Sequence, residues 1–242
     1  MRRAGWLLAL LAVPAWASHP LISEDTGTLG KGKWELELHG EHAHDRRAEV
    51  TSHSSVGLLK LGRGVAENLD VEIELRYLRE SAEDTVTKGA GDTSLAAKWR
   101  FYDSDATSLV LKPELLLPTG DEPGFGAGRP RWGATLAAAY EAAPFELIAN
   151  LGYLRNRNDL GERESLSYQS IALLFAATEK LKLVADLVRA TDPDPQGGHT
   201  RVLIAGLTYE FSERLELGLG VQDGLNDAAD DRAVRLGVKL RF

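Results

Sequence analysis

Hydrophobic and polar residues alternate along most of this chain, and the alternation is most regular in the last eleven residues, Arg232–Phe242. A period of two is that of a β-strand, whose successive side chains point to opposite faces. The apolar side consists of Val234, Leu236, Val238, Leu240 and Phe242, and the polar side of Arg235, Gly237, Lys239 and Arg241. A soluble edge strand can alternate in this way, but so does each strand of a transmembrane β-barrel, which needs a lipid side and a lumen side.

The same alternation recurs upstream and predicts twelve strands. They cover residues 33–41, 54–62, 69–79, 91–102, 108–118, 132–141, 145–155, 165–176, 181–190, 200–210, 215–222 and 232–242. Their connections are alternately short and long, with long polar ones at 42–53, 80–90 and 119–131. An even strand count with short turns at one end is typical of bacterial outer-membrane barrels. We therefore predict an all-β fold, a twelve-stranded antiparallel up-and-down transmembrane β-barrel.

The first seventeen residues have the pattern of a Sec-type secretory signal peptide. Arg2 and Arg3 precede a short apolar run, and Ala15-Trp16-Ala17 is an A-x-A cleavage site. We predict cleavage after Ala17 and a bacterial outer-membrane location. Residues 18–32 are rich in turn formers and predict an extended N-terminal segment, and residues 33–242 form the predicted barrel.

Composition narrows the function classes. The 242 residues carry a formal net charge of −8, which argues against nucleic acid as a partner. The chain has no cysteine, so it contains neither a disulfide nor thiol chemistry. No stretch after the signal approaches the roughly 20 apolar residues of a membrane helix, so a closed barrel is the remaining way to span a bilayer. No phosphate-binding loop is present, and no cofactor is expected.

Three phrases resemble a known family of outer-membrane proteins. They are His19–Thr28 with Gly32 and Lys33, Gly91–Leu95 with Lys98–Phe101, and Leu117–Asp121. Together with the signal and the last strand, they make the chain similar to the meta-pathway phenol-degradation family of outer-membrane "transporter" β-barrels. The resemblance implies an outer-membrane barrel with a catabolic or uptake role. The strand ending at Phe242 also resembles the one that such barrels present to their assembly machinery.

Charged residues on the polar faces are candidates for lining the lumen. We expect Glu35 opposite Arg241, Glu37 opposite Lys239, and Glu216 near Arg241. We also expect Asp70 near Arg100 and Glu72 near Lys98. The full set is Glu35, Glu37, Asp70, Glu72, Glu74, Lys98, Arg100, Lys112, Glu114, Glu216, Arg235, Lys239 and Arg241. These residues either fill a narrow barrel with internal ion pairs or set the selectivity of a pore, and twelve strands predict a narrow passage.

The long Gly/Pro loop at 119–131 is a candidate constriction that folds into the lumen. Its relevant residues are Asp121, Glu122, Phe125, Arg129 and Arg131. The alternative is a surface loop without such a role.

The histidines near the first strand are weak candidates for a metal site. These are His39, His42 and His44, with His53 further along; His19 is expected on the opposite side of the membrane. A barrel hydrolase would instead need a serine close to a base, and the candidates are His199 or His53 with Ser54, Ser165 or Ser167.

The favoured function is a channel that gives small hydrophobic or aromatic molecules a passive or facilitated route through the outer membrane. Its partners would be membrane lipid, the barrel assembly machinery and a small-molecule solute. A structural or adhesive barrel without transport is the first alternative, and a lipid or ester hydrolase is the second.

Overall fold

The computed structural model describes residues 19–47, 50–83, 85–121 and 125–242. The predicted signal peptide and its cleavage site lie outside these residues, as does Glu122. The described residues form one antiparallel sheet of thirteen strands. The strands are β1 (Trp34–Arg47), β2 (Val50–Ala66), β3 (Leu69–Ala82), β4 (Thr85–Ala90), β5 (Thr93–Asp103), β6 (Thr107–Leu117), β7 (Arg131–Ala142), β8 (Phe145–Arg155), β9 (Ser165–Ala176), β10 (Leu181–Thr191), β11 (His199–Ser212), β12 (Leu215–Gly224) and β13 (Arg232–Arg241).

The sheet closes into a twelve-stranded barrel, which confirms the predicted fold class. Consecutive strands pair, and β1 pairs with β13 to close the ring. Strands β4 and β5 occupy one position, because both pair with β3. They are separated at Gly91–Asp92, where the register shifts by one residue: Tyr77 faces Ala90, whereas Glu74 faces Ser94.

The two ends of the barrel differ. At the end that we call the turn end, β1 begins and β13 ends. Short connections at this end join β2 to β3, β5 to β6, β7 to β8, β9 to β10 and β11 to β12. The other end, the loop end, carries the long connections at 118–130, 156–164, 192–198 and 225–231. The predicted loops at 42–53 and 80–90 are wrong, because most of their polar residues continue the strands of tall hairpins. The polar composition of these two stretches predicts irregular backbone, but most of their residues are paired in strands.

The outward face of the barrel carries a belt of exposed aliphatic side chains. Every barrel position contributes one: Leu38, Leu59, Ile73, Leu95, Leu115, Leu136, Leu151, Ile171, Leu187, Leu203, Leu219 and Leu236. Exposed aromatic residues lie on both sides of the belt: Trp99, Phe101, Tyr140, Phe145, Phe211 and Phe242 toward the turn end, and Trp132 and Tyr153 toward the loop end. An apolar band edged by aromatic rings is the surface that a lipid bilayer requires. The described residues contain no helix that is long and apolar enough to cross a membrane.

Residues 19–29, which we call the inner segment, lie inside the barrel. Leu21 packs against Ala139 and Ile148, and Ile22 packs against a second wall cluster that includes Val188 and Ile204. The segment reaches β1 through Gly30 and Gly32, both with φ of 84°, a conformation that glycine adopts without strain. The predicted extended segment is therefore an internal element that crosses the lumen.

Candidate functional site in the barrel interior

An ionic cluster holds the middle of the inner segment. The Glu24 carboxylate, only 2% exposed, lies 2.7 Å from the Lys98 ammonium and 2.9 Å from that of Lys112. Lys98 also contacts Asp25 at 2.6 Å, and Lys112 contacts Glu72 at 2.6 Å. Buried charges are tolerated only when they are paired in this way. The cluster therefore couples the segment to β3, β5 and β6.

Hydrogen bonds to wall side chains hold the same segment to the opposite wall. The Asn150 side chain accepts from the Glu24 amide at 2.6 Å and donates to its carbonyl at 3.0 Å. The amides of Ile22 and Ser23 both donate to Asp186 at 2.8 Å. The Ser23 hydroxyl donates to Ser170 at 2.8 Å. Wall side chains thus provide hydrogen-bond partners for a backbone that has no strand neighbour.

The two ends of the inner segment are also fixed. At the turn end, the Leu29 amide donates to Asp70 at 3.0 Å, and the Thr26 and Ser108 hydroxyls lie 2.6 Å apart. At the other extreme, the His19 ring lies over Gly237, where a Cβ atom would overlap it. Glycine is needed at this position because the two chains approach so closely.

The closing seam between β1 and β13 has the predicted register. Glu35 lies opposite Arg241 with a 2.9 Å ion pair, and Glu216 approaches the same guanidinium at 3.4 Å. Glu37 lies opposite Lys239, and its carboxylate contacts Lys60 at 2.6 Å. The Glu35–Arg241 ion pair therefore joins the two strands that close the ring, and the other two ion pairs join each of these strands to its other neighbour.

The predicted register of β3 against β5 is wrong by two residues. Asp70 faces Lys98 rather than Arg100, and Glu72 faces Ala96 rather than Lys98, although Glu72 still interacts electrostatically with Lys98 as expected. The predicted register assumed an irregular loop at 80–90. Instead, β3 pairs with β4 up to Ala82 opposite Thr85, and the register then shifts by one residue at Gly91–Asp92. The alignment of β3 with β5 therefore differs from the predicted one. Arg100 instead pairs with Asp103 at 3.4 Å.

The other candidate lumen residues also have polar partners. Glu74 pairs with Arg76 at 2.6 Å, and Glu114 accepts from Ser94 in a short hydrogen bond. Arg235 pairs with Glu41 at 3.3 Å. The alternating burial of these strands places the charges on the inward face. That they line a conducting pore remains a prediction.

The loop at 118–130 is fixed to the barrel mouth by Asp92, at the break between β4 and β5. Its carboxylate accepts from the amides of Gly120 and Ala127 at 3.0 and 3.1 Å and from Arg131 at 2.9 Å. Arg131 is buried and also donates to Asn156 at 2.9 Å. Asn156 in turn donates to Glu162, and burial raises the pKa of the Glu162 carboxyl.

The remaining constriction candidates have different environments. Asp121 accepts from the Ala90 amide at 2.7 Å. Phe125 lies over Gly89, where a Cβ atom would crowd its ring. Arg129 makes an exposed ion pair with Asp159. The loop is thus attached along β4, and a narrowing role for it remains a prediction.

Weakening the Asp92 anchor gives a testable result. We expect Asp92→Asn to speed cleavage of the 118–130 loop in limited proteolysis of the folded barrel by roughly tenfold, because hydrogen bonds to a charged group contribute about 1.5–3 kcal/mol. Asp159→Asn is the matched control, because exposed ion pairs contribute about 0–1 kcal/mol. Equal cleavage of the two variants would show that Asp92 does not hold the loop.

Part of the interior is apolar. Leu116, Leu154 and Leu166 form one buried cluster near the loop end, and Tyr168 packs against Ala190 beside it. The charged residues described above lie mainly on β1, β3, β5, β6 and β13. The lumen therefore has one wall lined mainly by charged residues and another lined mainly by apolar residues apart from Asn150, Ser170 and Asp186, with the inner segment between them.

The histidine set does not come together as a metal site. His39 points inward to Glu37 and to the His19 ring, with the two ring centroids 4.6 Å apart. His42 and His44 point outward and lie against His53. Odd and even residues of a strand face opposite sides, so His39 is separated from His42 and His44. The prediction that His19 lies far from these histidines is wrong, because its ring contacts that of His39. The described residues include no group of three or more acidic or histidine side chains placed to hold a metal.

The serine–histidine candidates for hydrolysis are also separated. Ser167 contacts Thr191 at 3.1 Å, and Ser165 contacts Tyr153 and Arg155. Ser54 is buried, whereas the neighbouring His53 is exposed. Among the described residues, neither His53 nor His199 forms a side-chain hydrogen bond with any of the three serines, so no nucleophile–base pair is assembled from these candidates.

Several interior residues were missed by the sequence reasoning, among them Glu24, Lys60, Asn150 and Asp186. One signal pointed to the last two. Asn150 and Asp186 are polar residues with apolar neighbours on their inward faces, beside Ile148 and Val188, and such residues need a partner. The partner is the N-terminal stretch, whose own polar residues have no strand pattern to place them.

Comparison with known proteins identifies the family of this chain. The model of the family described as "Putative MetA-pathway of phenol degradation" matches residues 19–242. No curated protein matches the chain.

Solved structures with similar folds are outer-membrane barrels. One is the COG4313 outer membrane channel from Pseudomonas putida F1, which is 15% identical with a TM-score of 0.73, over 90% of this chain and 98% of that one. Another is the KdgM porin, 10% identical with a TM-score of 0.60, over 86% and 99%. A third is the translocator domain of the autotransporter NalP from Neisseria meningitidis, 14% identical with a TM-score of 0.57, over 87% and 89%.

Proposed function

Since this chain belongs to the family described as "Putative MetA-pathway of phenol degradation", we propose that it is an outer-membrane channel for small apolar molecules, including aromatic ones. Export through a signal peptide cleaved after Ala17 is part of the proposal, as is recognition of the strand ending at Phe242 by the barrel assembly machinery. The observation that carries the proposal is the divided interior of a closed barrel. No cofactor is needed for such a passage.

The apolar wall suits an apolar solute. Leu116, Leu154, Leu166 and Tyr168 are buried near the loop end, where a solute would enter from outside. The charged wall is mixed in sign and internally paired, so it does not provide the ring of one charge that selects ions. A neutral or weakly polar solute avoids the cost of competing with those ion pairs.

The inner segment acts as a movable plug in this proposal. It contacts the charged wall through Glu24 and the opposite wall through Asn150 and Asp186, so it bridges the lumen. These contacts are polar, so water can replace each of them when the segment moves. Passage requires that the segment leave at least one wall.

Liposome swelling with the refolded protein tests the proposal. We expect phenol-like solutes to enter faster than sugars or amino acids of similar size, because the apolar wall favours them. Heat-modifiability on a gel serves as the control for folding. Folded protein that admits none of these solutes would favour the structural or adhesive barrel, and ester hydrolysis that is lost with one serine would favour the enzyme.

A further inference from the structure

Two pairs of cationic residues face each other on the outer surface of the barrel. Arg79 on β3 lies directly opposite Lys88 on β4. Arg189 on β10 lies directly opposite Arg201 on β11. All four side chains are exposed, and they lie on the same outward face as the aliphatic belt.

Both pairs lie where the exposed apolar residues of β3, β10 and β11 end, on the side of the loop end. Arg189 and Arg201 come one outward position beyond the Leu187–Leu203 pair, on the side of the loop end. Arg79 and Lys88 come one outward position beyond the Tyr77–Ala90 pair, on the same side. One outward position is two residues, about 7 Å along a strand. Each pair therefore borders the apolar band at the depth of lipid headgroups.

The arrangement is unfavourable without an additional partner. Side chains directly opposite in an antiparallel pair have Cβ atoms about 5 Å apart, and like charges there are destabilising. The ion pairs found among the described residues include none of these four cations. Two other outward arginines at this end are paired: Arg155 with Glu164 at 2.6 Å and Arg232 with Asp223 at 2.8 Å.

We propose that the Arg79–Lys88 pair and the Arg189–Arg201 pair each bind a phosphate group of a phosphorylated outer-leaflet lipid. One phosphate carries the charge and the several acceptor oxygens that two adjacent cations need, and guanidinium groups bind phosphate through two parallel hydrogen bonds. The headgroup depth specifies lipid phosphate rather than a soluble anion. The inference rests on the membrane orientation in the proposed function, but not on transport.

The surroundings support two sites of this kind. At the first pair, Ser55 lies opposite Arg79, and its hydroxyl is 2.9 Å from His42, so further donors are adjacent. At the second, Arg189 donates to Gln169 at 3.1 Å, which orients the guanidinium on the surface. The two sites lie on separate strand pairs, so one barrel engages two headgroups.

Binding of purified barrel to vesicles tests the proposal. The probe is phosphatidylcholine vesicles containing lipid A with both phosphates, compared with vesicles in which that lipid A has been dephosphorylated. We expect Arg79→Gln with Lys88→Gln, and separately Arg189→Gln with Arg201→Gln, each to remove about half of the retained phosphorylated lipid A, and all four changes together to weaken its retention about tenfold. Arg155→Gln and Arg232→Gln are matched controls that should retain it as the unmodified protein does.

A second readout changes sign with the lipid. In pure phosphatidylcholine, Arg79→Gln should raise the denaturant midpoint of unfolding, because it removes a repulsion. With phosphorylated lipid A, the same variant should lower it, because a ligand is lost. The proposal is overturned if the effect keeps one sign in both lipids, if dephosphorylated lipid A is retained equally well, or if the pairs prove to hold a second copy of the barrel. Swelling rates in phosphatidylcholine liposomes should be unchanged in these variants, so failure of the channel proposal is seen separately.

Discussion

A barrel carrying Ser23→Cys and Ser170→Cys is expected to admit no solute while the new disulfide is oxidised, and to regain its permeability when the disulfide is reduced. The two hydroxyl oxygens lie 2.8 Å apart, between the inner segment and β9. That proximity suits a disulfide, which requires Cβ atoms about 3.8 Å apart. The chain has no cysteine of its own, so no other disulfide can form within one barrel. Swelling of liposomes before and after addition of a reductant measures the effect.

A second cysteine pair separates locking of the inner segment from stiffening of the wall. Ser167 and Thr191 have hydroxyls 3.1 Å apart on β9 and β10, and neither belongs to the inner segment. A disulfide in the Ser167→Cys, Thr191→Cys protein should leave permeability unchanged. If the Ser23–Ser170 disulfide also leaves permeability unchanged, solutes pass beside a stationary inner segment, and the movable plug is wrong.

Replacing Glu24 with lysine should have the opposite effect and open the barrel permanently. Three cations would then meet where Lys98 and Lys112 now share one carboxylate. Loss of one partner of a buried ion pair costs ~3–5 kcal/mol, so the docked population should fall by about two orders of magnitude or more. Single-channel conductance in planar bilayers should rise and remain high.

Charge exchange distinguishes this mechanism from general damage. Adding Lys98→Glu to Glu24→Lys restores an attractive pair and should return the conductance toward that of the unmodified barrel. Asp25→Asn is a milder control, since Asp25 is partly exposed and Lys98 keeps its contact with Glu24. A Glu24→Lys barrel that folds normally but conducts like the unmodified protein would show that Glu24 does not hold the segment in place.

The strands were predictable because each of their residues contributes to one repeating signal. Along β3, Val71, Ile73 and Leu75 are exposed to the lipid side, and Glu74 is buried on the other, as period-two alternation requires. The closing register was predictable from charge, since Glu35 and Arg241 stand at matching heights on the first and last strands. Both are local patterns repeated over many residues.

The interior could not be predicted in the same way. The inner segment has no period, because each of its residues meets a different strand: Ile22 and Ser23 meet Asp186, Glu24 meets Lys112, and Leu29 meets Asp70. These contacts join residues up to 164 positions apart and depend on how the barrel closes. A single-residue shift inverts the faces of a strand, but the break at Gly91–Asp92 was missed because the small and polar residues of β4 show too little alternation for the inversion to be seen.

The attachment of the inner segment determines how it can be withdrawn. Its chain turns at Gly30 and Gly32 and is fastened there, because the Gly32 amide donates to Gly64 at 2.8 Å and the Gly64 amide donates to Lys33 at 2.9 Å. In the proposed function, with cleavage after Ala17, the segment would have a fixed hinge at the turn end and a free end next to His19. A rotation about the hinge displaces the free end most, so the contacts break in sequence from His19 toward Leu29. If the contacts between the inner segment and the wall break one after another, each step has a small free-energy barrier. Opening of the barrel by this route would be faster and more easily reversed than opening in a single step.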